Sequence, residues 1–106
     1  MILRLHPEAR KELRQIAEWY EDRREGLGPE VRDEVSRALN AVLEQPLRWP
    51  LSSIPKARAL GIRHFVVERF PLVIEYIGDE KRVLVFAVAH SSRRPGYWLR
   101  RLVRKR

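Results

Sequence analysis

The chain of 106 residues has no cysteine, one methionine and few aromatic residues (three each of Trp, Tyr and Phe). Without cysteine there can be no disulfide framework and no thiolate metal site. No apolar run is as long as a membrane span, and the N-terminus lacks the pattern of a secretory signal peptide. We therefore expect a single cytoplasmic domain over residues 1–106, with no membrane partner. Because its carboxylates do not converge on a ligand-like spacing, we also expect no metal and no cofactor.

Acidic residues are scarce in the second half of the chain. Residues 1–46 carry eight Arg/Lys and ten Asp/Glu, a net charge of −2, whereas residues 47–106 carry fourteen and four, a net charge of +10. A surface that serves solubility alone usually intersperses both signs. The asymmetry indicates an anionic partner, either nucleic acid or an acidic protein.

One apolar stretch organises the chain, the run Val83–Ala89, which has no polar break. Such a run predicts a strand that is covered on both faces and paired on both edges, at the centre of a sheet. It ends in a polar, cationic and aromatic cluster, and a rigid strand end is a common support for a functional site. The candidate site residues in this cluster are His90, Arg93, Arg94 and Tyr97.

Apolar residues that recur at spacings of three and four predict two helices, over residues 7–25 and 29–45. Strands are expected over residues 1–5, 62–69, 72–77 and 82–89. A loop over residues 47–61 precedes the second strand, and residues 97–104 form a short basic helix or a tail. The order β-α-α-β-β-β predicts an α+β fold, a helical hairpin packed on a small antiparallel sheet.

Two finer expectations concern glycine and the aromatic side chains. Gly78 opens the turn before the last strand, where it is free to take a positive φ. Trp19 and Tyr20 are expected in the core or within the helical hairpin, and Trp98 over the open face of the sheet.

Several segments together resemble the RelE/ParE superfamily, the toxins of type II toxin–antitoxin modules of the plasmid stabilisation type. They are HPEARKELRQIAEWYEDR in the first helix, the pair Trp49-Pro50, LVIEYIGDEKRVLVFAVAH over the last hairpin, and RRPGYW beyond it. The resemblance implies a small, basic growth inhibitor that a cognate antitoxin neutralises, and we expect that antitoxin to be acidic and partly disordered. It also implies one of two targets. The RelE branch cleaves mRNA on the ribosome without a metal, and the ParE branch poisons DNA gyrase.

The resemblance also implies which residues carry nuclease chemistry in the RelE branch. Arg93 matches an arginine just past the fourth strand, and Tyr97 lies two residues before the position of a following tyrosine. Lys56 and Arg58 fall where basic loop residues stand. No arginine opens the third strand, where residues 70–71 are Phe-Pro. This departure favours the ParE branch.

The chemistry of the residues leaves several roles open. In a nuclease, Arg93, Tyr97 and His90 would be catalytic, since Arg93 could stabilise phosphorane charge, Tyr97 could stack on a base and His90 could transfer a proton. His90 is equally well explained as a strand-end histidine that is satisfied by a backbone carbonyl. The expected target-binding residues are Lys56, Arg58, Arg63, Arg69, Arg93, Arg94 and Tyr97.

Three functions follow from this sequence. Gyrase inhibition is favoured, and a ribosome-dependent mRNA endoribonuclease is the first alternative. A nucleic-acid-binding or inactive toxin-like domain is the second, so whether the protein is an enzyme stays open.

Overall fold

A computed structural model describes residues 2–102, and the predicted order of helices and strands is confirmed. The elements are β1 (Ile2–Leu5), α1 (Pro7–Arg23), α2 (Leu27–Glu44), α3 (Pro55–Ala59), β2 (Arg63–Val67), β3 (Leu72–Gly78), β4 (Arg82–His90) and a 3₁₀ helix (Leu99–Leu102). The short helix α3 lies in the segment that the sequence predicted as a loop. Met1 of the predicted first strand, and residues 103–104 of the predicted C-terminal helix or tail, lie outside the described residues.

The sheet has the strand order β1-β4-β3-β2, so β4 lies inside it, as the unbroken apolar run predicted. The pairs β2/β3 and β3/β4 are antiparallel. β1 runs parallel to β4, with Leu5 opposite Val85. The expectation of a wholly antiparallel sheet was wrong at this edge. A parallel pair needs a long crossover connection, and here the two helices and two further strands provide it.

Local side-chain contacts close both ends of α1. His6 precedes the helix and its Nδ1 accepts the Glu8 N–H at 3.1 Å, while Pro7 occupies the first turn, where no N–H is needed. After α1 the chain turns at Gly26, whose φ of 92° suits glycine. The Glu21 carboxylate accepts the N–H groups of Gly26 at 3.1 Å and Gly28 at 2.9 Å. These bonds hold α1 and α2 as a tight hairpin.

The sheet is covered on both faces, by different parts of the chain. The two long helices pack on one face, where the fully buried residues include Val31, Val35, Val42, Ile74, Tyr76 and Val85. The other face packs against α3 and the C-terminal segment, through a smaller core of Ala57, Ile62, Phe86, Ala87 and Trp98. The second core therefore fixes the C-terminal segment on the sheet.

The three aromatic residues assigned to the interior behave differently. Trp98 is 1% exposed and stacks on Phe86, with ring centroids 6.1 Å apart, as expected. Tyr20 packs edge-on against Phe70 at 5.0 Å. Trp19 was wrongly assigned to the interior, because it is 49% exposed. Its ring carries the Arg23 guanidinium at 3.6 Å, a cation–π contact that suits an exposed indole.

Candidate functional site

The predicted cluster begins where β4 ends, and a tight turn organises it. His90 Nδ1 accepts the Ser92 N–H at 3.1 Å and lies 2.8 Å from Ser92 Oγ. Arg93 N–H donates to the carbonyl of His90 at 2.9 Å. The His90 ring is thus held by Ser92, and not by the backbone carbonyl that the sequence suggested.

The structure brings Arg93 and Tyr97 together. The Arg93 guanidinium lies 3.8 Å from the centroid of the Tyr97 ring, so it covers one face of that ring. The Tyr97 hydroxyl donates a short hydrogen bond to Glu12 Oε2. Burial raises the pKa of Tyr97, and the bond to Glu12 raises it further, so the hydroxyl stays protonated at neutral pH. Tyr97 therefore anchors the chain, and Arg93 covers the ring face on which a base would stack.

Glu12 is a buried site residue that sequence reasoning missed. Its oxygens accept the two terminal nitrogens of Arg101 at 3.0 and 2.8 Å, and both side chains are less than a tenth exposed. Glu12 also accepts the Val88 N–H at 3.1 Å, and Arg101 donates to the carbonyl of Phe86 at 2.8 Å. We call Glu12, Tyr97 and Arg101 the buried triad.

The buried triad completes an edge of the sheet. β1 pairs with β4 only as far as Val85, so β4 continues beyond it without a strand neighbour on that side. There Glu12 and Arg101 satisfy the backbone groups of Val88 and Phe86 that a neighbouring strand would otherwise bond. One signal in the sequence was available, since Glu12 lies three residues after Ala9 and so beside the apolar stripe of α1.

Two of the predicted target-binding residues lie on α3. Lys56 and Arg58 are exposed, and Ala57 between them is fully buried in the core that contains Trp98. α3 thus lies on the same side of the sheet as the C-terminal segment. Arg94 is exposed as well, so the structure leaves these three cationic side chains accessible.

The other two predicted arginines make internal contacts. Arg63 donates to the carbonyl of Trp49 at 2.6 Å, which fixes the loop before α3. Arg69 pairs with Glu30 at 2.9 Å and with Glu34 at 3.6 Å, both on α2. The hydrogen bond from Arg69 lowers the pKa of Glu30. Arg69 is therefore held by the helical hairpin and does not join Arg93.

A cleft of about 360 Å³ lies between α1 and the end of β4. Its lining includes Ile16, Trp19, Val88, His90 and Arg93. On the helix side of the cleft, Glu12 and Gln15 lie beside the apolar side chains, and Arg93 places a cation at the strand end.

Over residues 2–102, no three histidine or carboxylate side chains stand close enough together to hold a metal ion. Within the same residues, no helix is long and apolar enough to cross a membrane.

Comparison with known families adds to this geometry. A family model described as the ParE toxin of the type II toxin–antitoxin system parDE matches residues 3–95. The chain belongs to this family. The match ends at residue 95. The residues that hold the C-terminal segment on the sheet, Tyr97, Trp98 and Arg101, therefore lie beyond it.

A solved structure of a ParDE toxin–antitoxin system has the same fold as this chain. A chain of the chromosomal ParDE toxin–antitoxin system from P. aeruginosa superposes with a TM-score of 0.61 at 22% sequence identity, covering 85% of this chain and 95% of that one. No curated protein sequence matches. The predicted superfamily and its α+β architecture are confirmed, and membership of a toxin–antitoxin family implies a cognate antitoxin as partner.

Proposed function

We propose that this ParE-family toxin inhibits growth by acting on DNA gyrase in the cytoplasm. The observation that carries the proposal is the ParE toxin family match over residues 3–95. The ParE branch is the one for which the resemblance implies gyrase as the target. The alternatives are the RelE-like mRNA endoribonuclease and the binding or inactive domain.

The arrangement of the candidate nuclease residues supports this choice. Cleavage by 2′-OH attack needs a proton acceptor, a proton donor and cations around one phosphate. Here the Tyr97 hydroxyl donates its hydrogen bond to Glu12, and the Arg93 guanidinium covers one face of the Tyr97 ring. Phe70 stands where the RelE branch has an arginine, and the nearby Arg69 is paired with Glu30. The residues of the cluster thus serve binding better than phosphoryl transfer.

The proposed gyrase-binding surface combines the exposed cations of α3 and of the turn after β4. The exposed cations are Lys56, Arg58, Arg93 and Arg94. The second core, which contains Trp98, fixes the two segments that carry them on one side of the sheet. Rigid support lowers the entropy cost of forming an interface. Removing the chain after Arg94 would also remove Trp98, which is 1% exposed, so point variants are the cleaner test.

The test is a supercoiling assay with purified gyrase, run beside primer extension on mRNA after induction. We expect loss of supercoiling and no cuts in mRNA. Codon-phased cuts that disappear in Arg93→Ala would establish the ribonuclease instead. Neither signal, with growth unaffected, would leave the binding or inactive domain.

We infer that the antitoxin is acidic and partly disordered, and that it covers the cationic side of the sheet. The net charge of +10 over residues 47–106 gives such a segment its electrostatic complement. Hydrogen exchange on the complex should show protection within residues 60–98. Protection confined to the outer faces of residues 7–45 would contradict this docking.

A further inference from the structure

Two stretches of the chain that contain no acidic residue build much of the sheet face turned away from α1 and α2. Residues 47–67 contain four Arg/Lys and residues 81–102 contain six, and neither stretch contains Asp or Glu. The first stretch includes α3 and β2, and the second includes β4 and the C-terminal segment. A surface that serves solubility alone usually intersperses both signs of charge. These stretches therefore need another explanation.

The two stretches meet beside a groove of about 220 Å³ on this face. Ile54, which precedes α3, and residues 93–98 both line the groove. A Cβ atom at Gly96 would lie 3.8 Å from the Ile54 side chain, so the two segments approach each other closely. Ala57 and Trp98 belong to the second core beneath them. The cations on α3 and on the turn after β4 are thus held on one face.

Four cations on these two segments are available to an external anion. They are exposed, and among the described residues none of them forms an ion pair with a carboxylate. By contrast, Arg63 is bonded to the carbonyl of Trp49, and Arg101 is paired with Glu12. We call the four the surface cations: Lys56, Arg58, Arg93 and Arg94.

The strands do little to offset this charge. Among the strand residues that the structure describes, Glu75 is the only one with a carboxyl group, and it is 6% exposed. Burial raises the pKa of Glu75 to about 7, so a large fraction of this group is neutral at neutral pH. The face is therefore positive over the groove and beside it.

The chemistry of the surface cations favours phosphate as their partner. Three of the four are arginines, and a planar guanidinium can donate two parallel hydrogen bonds to one phosphate. The exposed hydroxyl groups of Ser53 and Ser91 border the same groove. Hydroxyl groups of this kind are common donors to the phosphate oxygens of a nucleic acid.

The same face offers little to unpaired bases. Trp98 is 1% exposed, and Arg93 covers one face of the Tyr97 ring. Proteins that bind single strands stack the bases on exposed aromatic rings. In addition, α3 has five residues, which is short for base readout in a major groove. A duplex that is bound through its backbone fits these features best.

We propose that the surface cations bind the phosphate backbone of duplex DNA without reading its sequence. This inference deepens the proposed action on gyrase and rests on that function, because duplex DNA is the substrate of gyrase. In the complex with gyrase, the surface cations then contact the DNA that the enzyme holds, and not an acidic patch of the enzyme itself.

Fluorescence anisotropy of a labelled duplex of about 20 base pairs, titrated with the full chain, tests the surface without gyrase. Four phosphate contacts predict a slope of about −3.6 in the logarithm of affinity against the logarithm of salt concentration. This slope corresponds to a loss of about 150-fold in affinity between roughly 50 and 200 mM NaCl. Two duplexes of unrelated sequence should bind equally, because phosphate contacts carry no sequence information.

Two double variants, Lys56→Gln/Arg58→Gln and Arg93→Gln/Arg94→Gln, each remove half of the surface cations. Each should weaken DNA binding at least tenfold at low salt and make the slope shallower by about 2. Lys11→Gln/Arg14→Gln removes the same charge from the exposed side of α1, so it is the matched control and should change neither. Because the two pairs lie on separate segments, a variant whose melting transition is lost leaves the other as the test.

Competition with unlabelled polymers separates DNA from other anions. A single strand that competes better than the duplex would overturn the proposal in favour of single-stranded nucleic acid. Poly-L-glutamate that competes as well as the duplex at equal charge would overturn it in favour of an acidic protein. A tenfold preference between the two duplexes, or unchanged DNA binding by both folded double variants, would also overturn it.

A supercoiling assay with gyrase on the same variants separates this inference from the gyrase proposal. If the double variants no longer inhibit gyrase but still bind DNA as the wild type does, the cations contact the enzyme, and this inference fails alone. If DNA binding follows the expectation and the wild type does not inhibit gyrase, the DNA-binding surface stands and the gyrase proposal fails.

Discussion

At the scale of single residues, two buried glutamates differ in what surrounds them. Glu12 receives hydrogen bonds from Arg101, Tyr97 and the Val88 backbone. Glu75 has no such set of donors, and its Oε1 has no hydrogen-bond partner among the described residues. Burial of an ionised carboxylate is unfavourable unless donors replace the lost water. Glu12 thus forms a structural ion pair with Arg101. Glu75 lacks a cationic partner, and burial raises its pKa to about 7.

The first prediction concerns Glu75 and the pH dependence of stability. Its pKa is raised to about 7 in the folded state, so the folded protein binds more protons than the unfolded chain between about pH 4.5 and 7. Stability should fall as pH rises through that window. Glu75→Gln should be more stable than wild type at pH 8, by on the order of 1–3 kcal/mol, and should lose this pH dependence.

Urea unfolding at pH 5 and pH 8 measures this effect. Glu80→Gln, in the exposed turn before β4, is the matched control and should follow the wild type. If Glu75→Gln and wild type lose stability in parallel as pH rises, Glu75 is not the titrating group.

Residue roles were the hardest feature to predict from the sequence. The proximity of Arg93 and Tyr97 was expected, because both residues follow closely on the rigid end of β4. The partner of Tyr97 could not be predicted, since Glu12 is 85 positions away and the contact depends on how α1 packs over β4.

At the scale of elements, local periodicity predicted α1, α2 and β4, whose apolar patterns are long. The parallel pairing of β1 was not predictable, because β1 and β4 are separated by nearly the whole chain. Gly78 was also assigned a wrong conformation, since it has no positive φ. The turn is instead closed by Asp79, whose Oδ1 accepts the N–H groups of Lys81 and Arg82 at 2.8 and 3.0 Å.

The second prediction concerns the buried triad as the link between α1 and the C-terminal segment. Arg101→Met leaves Glu12 buried without its cation and should destabilise the protein by about 3–5 kcal/mol. The double variant Glu12→Leu/Arg101→Met removes both charges and should recover much of that loss, although the Val88 N–H then loses its acceptor.

Urea unfolding of the four proteins of this cycle gives the coupling free energy. Arg100→Met, at the exposed neighbouring position, is the control and should stay within about 0.5 kcal/mol of wild type. Additive losses in the double variant would show that Glu12 and Arg101 act independently.

At the scale of the whole molecule, the charge asymmetry of the sequence corresponds to a difference between the two sides of the sheet. The two long helices carry mixed charges, and Arg37 pairs with Glu34 on α2 at 2.7 Å. Glu30 of α2 also pairs with Arg69, from the turn between β2 and β3, at 2.9 Å. On the opposite side of the sheet, Lys56, Arg58, Arg93 and Arg94 are exposed on segments that the second core fixes. We propose that these cations bind the target.

The most direct test of this assignment is trapping of gyrase on cleaved plasmid DNA. Purified toxin, gyrase and plasmid are mixed, denatured with detergent, and assayed for linear DNA with gyrase attached. We predict that wild type produces this product, that Arg93→Gln and Arg94→Gln reduce it at least tenfold, and that the control Arg32→Gln does not. Full trapping by both Arg93→Gln and Arg94→Gln, or no trapped DNA from the wild type, would contradict the account.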